Sequence, residues 1–116
     1  MSFLGLLPLA GALILTASVA WSASEPAAPI SVDMKSISYE PKSVEVPVGG
    51  SVVWTNKAFT NHTATSQDDG KTFDTGEIKP GETSSPLKFD KEGEFKYHCK
   101  VHGKTMSGTV VVKPPQ

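Results

Sequence analysis

The chain has 116 residues, a formal net charge of −1 from eleven basic and twelve acidic side chains, and 38% hydrophobic residues. That length and balance describe one small domain, with no electrostatic reason to bind nucleic acid or to adsorb to a membrane surface. Every basic residue is a lysine, which excludes bidentate guanidinium recognition of phosphate or carboxylate, and a lone cysteine excludes an internal disulfide.

Residues 2–20 carry no charge and are dominated by Leu, Ala, Gly, Val and Ile. Small residues follow, as Ser18-Val19-Ala20 before Trp21 or Ala20-Trp21-Ser22 before Ala23. This reads as a secretory signal peptide over residues 1–22, which implies a periplasmic or otherwise exported protein. An uncleaved membrane anchor is the competing reading, because the apolar run is nearly long enough to span. Residues 23–29 form a Pro/Ala-rich leader, and residues 30–116 form the domain.

From Ile30 onward, short alternating runs punctuated by turn residues predict an all-β sandwich. The first strand covers residues 31–38, with Val32 and Met34 available to the core and Ile37 a further candidate. Tyr39-Glu40-Pro41 ends it, since proline removes a ladder donor and restricts its predecessor. Val44, Val46 and Val48 alternate with polar neighbours and Pro47, as expected of an edge strand. Gly49-Gly50 is a turn, and Ser51-Val52-Val53-Trp54-Thr55 is a strand rich in β-formers that ends at Asn56. Residues 57–61 form a loop leading to His62, and Asp68-Asp69-Gly70 is a polar turn. Residues 82–89 read as a strand with Leu87 and Phe89 on one face. Across the next turn, Phe95, Tyr97 and Cys99 share a face, with Lys96, His98 and Lys100 opposite. Thr109 to Val112 closes the sequence of strands.

The chemistry is concentrated in Cys99-Lys100-Val101-His102-Gly103-Lys104-Thr105-Met106, where a thiol, an imidazole and a thioether come from one short loop. Soft sulfur with imidazole suits copper, and two His, one Cys and a weak Met make an electron-transfer copper set. The second imidazole must come from elsewhere. His98 adjoins Cys99 and points to the other face of an extended strand, which leaves His62. His62, Cys99, His102 and Met106 are therefore the candidate metal ligands. Zinc also suits Cys and His, but Met is an unusual zinc ligand. Gly103 and Gly108 read as relief where the backbone bends round the metal. His98 reads as a surface histidine of the outer sheet face.

These features resemble the cupredoxins, the small blue copper proteins of the plastocyanin, pseudoazurin and amicyanin group. The resemblance is carried by Tyr39-Glu40-Pro41, Val46, Gly49-Gly50, Val52-Val53-Trp54-Thr55-Asn56, His62, Gly81-Glu82, Gly93, Tyr97-His98-Cys99, His102 and Met106-Ser107-Gly108-Thr109-Val110. It implies a Greek-key β-sandwich with a type 1 copper site. His62, Cys99 and His102 would be its strong ligands and Met106 its long axial one. It also implies an electron carrier rather than an enzyme, acting as a monomer on transient redox partners. Three residues separate His102 from Met106, a length between those of the plastocyanin and amicyanin loops. Thr63 follows His62 where relatives often place an Asn that tethers the two ligand loops, so here Thr63 must substitute or the tether weakens.

Copper catalysis needs an open position or a second copper, and His98 alone is left over to build one. A copper-delivery protein without a redox circuit is the alternative, disfavoured by a closed ligand set. Lys57, Lys100 and Lys104 around the copper end, with Lys96 further down the strand, form either a ring that steers an acidic partner or ordinary solvated lysines. Val101, Ala58 and Phe59 are the candidate docking patch near His102.

Overall fold

Two four-stranded sheets pack face to face in the computed structural model, which describes residues 28–114. The strands are β1 (Ile30–Met34), β2 (Tyr39–Glu40), β3 (Ser43–Pro47), β4 (Ser51–Asn56), β5 (Thr65–Ser66), β6 (Leu87–Lys88), β7 (Gly93–Cys99) and β8 (Gly103–Lys113). One sheet has the order β2-β1-β4-β6, the other β3-β8-β7-β5. The all-β sandwich is thus as the alternation predicts. The expected signal peptide, residues 1–22, lies outside the described residues, as do residues 23–27 of the leader. Among the described residues, no helix is long and apolar enough to cross a membrane.

Period-two alternation builds the core. Val32 and Met34 of β1, Val44 and Val46 of β3, Val52 and Trp54 of β4, Tyr97 and Cys99 of β7, and Met106, Val110 and Val112 of β8 are all buried together. Tyr39 packs edge-on against Tyr97 at 4.5 Å, and Trp54 against Tyr97 at 5.4 Å, favourable geometries for aromatic rings. Pro47 sits where a missing N–H is harmless, because β3 is an edge strand paired only with β8.

Four expectations need correction. Residues 31–38 are not one strand: β1 stops at Met34 and Tyr39–Glu40 turns back antiparallel to it, with Lys35 N–H donating to the Ser38 carbonyl. Ile37 sits in that turn and is exposed. Residues 82–89 follow β4 but form a continuous strand only at Leu87–Lys88, with a separate single bridge from Thr83 to Thr55. Upstream, the Ser84 hydroxyl takes the Trp54 N–H, and Pro86 has no N–H to offer. Gly108 is also not a bend round the site. Its backbone is ordinary, but a methyl group there would lie 2.5 Å from the Tyr97 hydroxyl and 3.0 Å from the Lys42 carbonyl, so it is glycine to admit Tyr97.

Candidate metal centre

Cys99 ends β7 at an irregularity. The β7–β8 register shifts between His98 and Cys99, so Cys99 pairs with Gly103 and only Lys100, Val101 and His102 remain as the turn. Gly103 has φ +70°, a conformation L side chains rarely adopt, and it supplies the reversal the short turn needs. The result is a fully buried Cys99 with His102, half-buried, folded back over it.

His62 arrives from the other side of the sandwich. Its backbone pairs with Ile78 in both directions, N–H to carbonyl at 3.2 and 2.8 Å. The approach to it is organised by Asn56, a fully buried residue at the end of β4. Asn56 Nδ2 donates to the Thr60 and Ile78 carbonyls, each at 2.8 Å, while Oδ1 accepts the Ala58 N–H at 2.8 Å. This role of Asn56 is not evident from the sequence. A polar residue closing a run of β-formers is the one available signal.

These two loops bring His62, Cys99 and His102 together, with their ligand atoms all within 4.8 Å of one another. Nδ1 of His62 and Nδ1 of His102 each lie 3.6 Å from Cys99 Sγ. A first-row ion held about 2.0–2.1 Å from imidazole nitrogen and about 2.3 Å from thiolate sulfur, as zinc is, needs those atoms roughly 3.5–3.8 Å apart at tetrahedral to trigonal angles. The three residues therefore fit a metal ion without rearrangement. Met106 is fully buried in the same core cluster as Cys99, one residue before Ser107, the ladder partner of His98. A thioether donor added to thiolate and imidazole would favour copper over zinc.

The surroundings are those of a dry ligand set. Burial, then the neighbouring His102 imidazole, holds the His62 pKa below its ordinary value, against the Lys35 backbone, so His62 is kept neutral as a ligand must be. The Thr63 N–H points at Cys99 Sγ from 3.4 Å, a dipole suited to a thiolate. The Tyr39 hydroxyl donates to the Thr63 carbonyl, and burial raises the pKa of Tyr39 so that it stays a donor. Burial likewise pushes Tyr97 up to about 12. The tether expected of Thr63 is present: Thr63 Oγ1 accepts the Lys100 N–H at 2.9 Å, joining the His62 loop to the Cys99 loop.

Other expected residues fare unevenly. His98 lies on the outer face but is half-buried, with Nδ1 enclosed and without a hydrogen-bond partner. Ala58 is buried and cannot contribute to a docking patch, whereas Phe59 is 97% exposed and Val101 about half exposed. Lys100 is not a free cation, because its ammonium lies 3.0 Å from Asp74 Oδ2.

Comparison with known proteins agrees with this geometry. The family model of the cupredoxin-like domain matches residues 6–112. A chloroplast plastocyanin from Tetradesmus obliquus is 33% identical over 114 residues, covering 90% of this chain and 78% of its own. Among solved structures, a purple cupredoxin from Nitrosopumilus maritimus superposes with a TM-score of 0.65 at 26% identity, covering 72% of this chain and 99% of its own. An oxidised amicyanin variant gives 0.64 at 28% identity, with 72% and 81% covered. A copper nitrite reductase from Thermus scotoductus gives 0.66 at 30% identity, with 76% of this chain but only 23% of the reductase chain covered. The chain belongs to the cupredoxin-like family, and His62, Cys99 and His102 form a cluster able to hold a copper ion.

Proposed function

We propose that this chain is an exported single-electron carrier whose copper ion is held by His62, Cys99, His102 and Met106. One observation carries the reading: two imidazole Nδ1 atoms stand 3.6 Å from one buried sulfur, in a site whose members are buried except for His102. Bound there, copper supplies a one-electron Cu(I)/Cu(II) couple. The chain holds the donors at the end of β7, in the turn that follows, within β8 and on a bridged loop, so that little has to move when the charge changes. Burial of His62, Cys99 and Met106 excludes water from three sides. His102, the member that reaches solvent, is the route to a partner.

The surface round His102 supports a transient encounter. Val101 adjoins it in sequence, and Phe59 stands exposed three residues before His62. A small apolar contact with a wet rim suits a complex that must dissociate after each transfer. Lys57 and Lys104 are exposed at this end and favour an acidic-faced partner, while Lys100 is committed to Asp74. The buried ligand set disfavours copper delivery, which needs exchangeable donors. Voltammetry of the copper-loaded chain tests the proposal. One reversible one-electron wave per bound copper is expected. Rapid loss of copper to a mild chelator, with no wave, would replace electron transfer by delivery.

A further inference from the structure

The Thr63 tether does not end at Thr63. Its hydroxyl lies 2.9 Å from that of Thr65, and the Thr65 hydroxyl donates to Asp74 Oδ1 at 2.9 Å. Because the Thr65 proton is used on Asp74, the proton between the two threonines belongs to Thr63. The Thr63 oxygen is then left to accept the Lys100 N–H at 2.9 Å. Every bond in the chain therefore runs one way, from the Lys100 amide through two hydroxyls to a carboxylate. The far end returns to its start, since Asp74 Oδ2 holds the Lys100 ammonium at 3.0 Å. Thr63 and Thr65 are buried, 2% and 0% exposed, so water does not readily replace a missing member. Burial raises the Asp74 pKa, but the Gly76 N–H, the Lys100 ammonium and the Thr65 hydroxyl outweigh it, and the carboxylate stays ionised at neutral pH.

We infer that Asp74 is a positioning residue for the metal centre, fixing the Cys99 turn against the His62 loop through the closed ring Lys100–Thr63–Thr65–Asp74. Asp74 is not one of the ligand cluster, and no sequence motif marks it. Its effect passes along two paths to one residue, Lys100, which is adjacent to Cys99. Thr63, in the same ring, is adjacent to His62 and also aims its N–H at Cys99 Sγ. Partners that orient metal ligands typically change affinity about 10–100-fold when removed.

The inference rests on copper binding at the cluster, so its test has a readout that needs no metal. Cu(I) affinity is measured by chelator competition for Thr65→Val, Asp74→Asn, Asp74→Ala and the Thr65→Val/Asp74→Asn double variant, with Thr65→Ser as the conservative control. Hydrogen exchange of the Lys100 amide is followed in the metal-free chain. Each disruptive substitution is expected to weaken Cu(I) binding about tenfold and to speed Lys100 exchange. The double variant should be no worse than the more affected single one, and Thr65→Ser should behave as the parent. Asp74→Asn keeps the shape of the residue and so serves if Asp74→Ala does not fold. Unchanged Lys100 exchange would overturn the inference, as would additive losses. A parent chain that binds no copper would refute the copper reading, while the metal-free exchange still decides the ring.

Discussion

Asn56 makes the clearest energetic demand on this fold. Replacing it with Ala removes three hydrogen bonds of 2.8 Å from a fully buried side chain and leaves the Ala58 N–H and the Thr60 carbonyl short of a partner. The Ile78 carbonyl keeps its bond from the His62 N–H, so it is not orphaned. At about 1 kcal/mol for each bond, the loss is about 3 kcal/mol. Domains of this kind have roughly 5–15 kcal/mol in total, so the deficit is a large fraction of the margin. Urea unfolding of the metal-free protein is the suitable assay, because bound metal would add its own mass-action stabilisation. The urea midpoint should fall with an unchanged slope, and exchange of the Ala58 amide should quicken. A loss below about 1 kcal/mol, with Ala58 still protected, would refute the argument that Asn56 builds the His62 loop.

Three further outcomes follow from local geometry. Gly108→Ala should destabilise by about 1–3 kcal/mol through overpacking against Tyr97, and adding Tyr97→Phe should recover only part of it, since the ring carbon lies 2.6 Å from the new methyl; full tolerance in thermal unfolding would contradict the packing. The Ser66 hydroxyl, then the Thr72 hydroxyl and N–H, hold Asp68 at about 2, below its ordinary 3.8. A depressed carboxyl contributes stability that is full above the ordinary value and is lost as pH falls towards 2, so Asp68→Asn should flatten the acid limb of a stability–pH curve; an identical limb would refute it. Phe59→Ser should leave the unfolding midpoint within about 0.5 kcal/mol of the parent yet slow electron exchange with an acidic redox partner. Unchanged exchange would remove Phe59 from the docking surface.

The ligand cluster was legible because one cysteine and three histidines leave few combinations, and because alternation places His98 opposite Cys99. The sandwich was legible for the same reason, since Val44/Val46 and Val52/Trp54 alternate cleanly. What escaped were features set by side chains that replace backbone partners. Ser84 takes the Trp54 N–H and interrupts a strand that periodicity would continue. Ile37 falls on the face opposite Val32 and Met34 if the strand is continued, so alternation gives it no place in the core, and it sits exposed in the β1–β2 reversal. Gly108 resembles a bend residue in sequence and is in fact a space for Tyr97, a contact that arises across the β7–β8 ladder. The Thr65–Asp74–Lys100 ring joins residues nine and more positions apart through tertiary contact, with no periodic signature.

The central claim is that Cys99, with His62 and His102, binds copper through its thiolate. Its most direct measurement is a visible absorption spectrum of the chain from Ala23 onward, before and after Cu(II), beside Cys99→Ser. An intense blue to green band that ascorbate bleaches and that the variant lacks is the expected result. A colourless parent, or a band that survives in Cys99→Ser, would contradict the account.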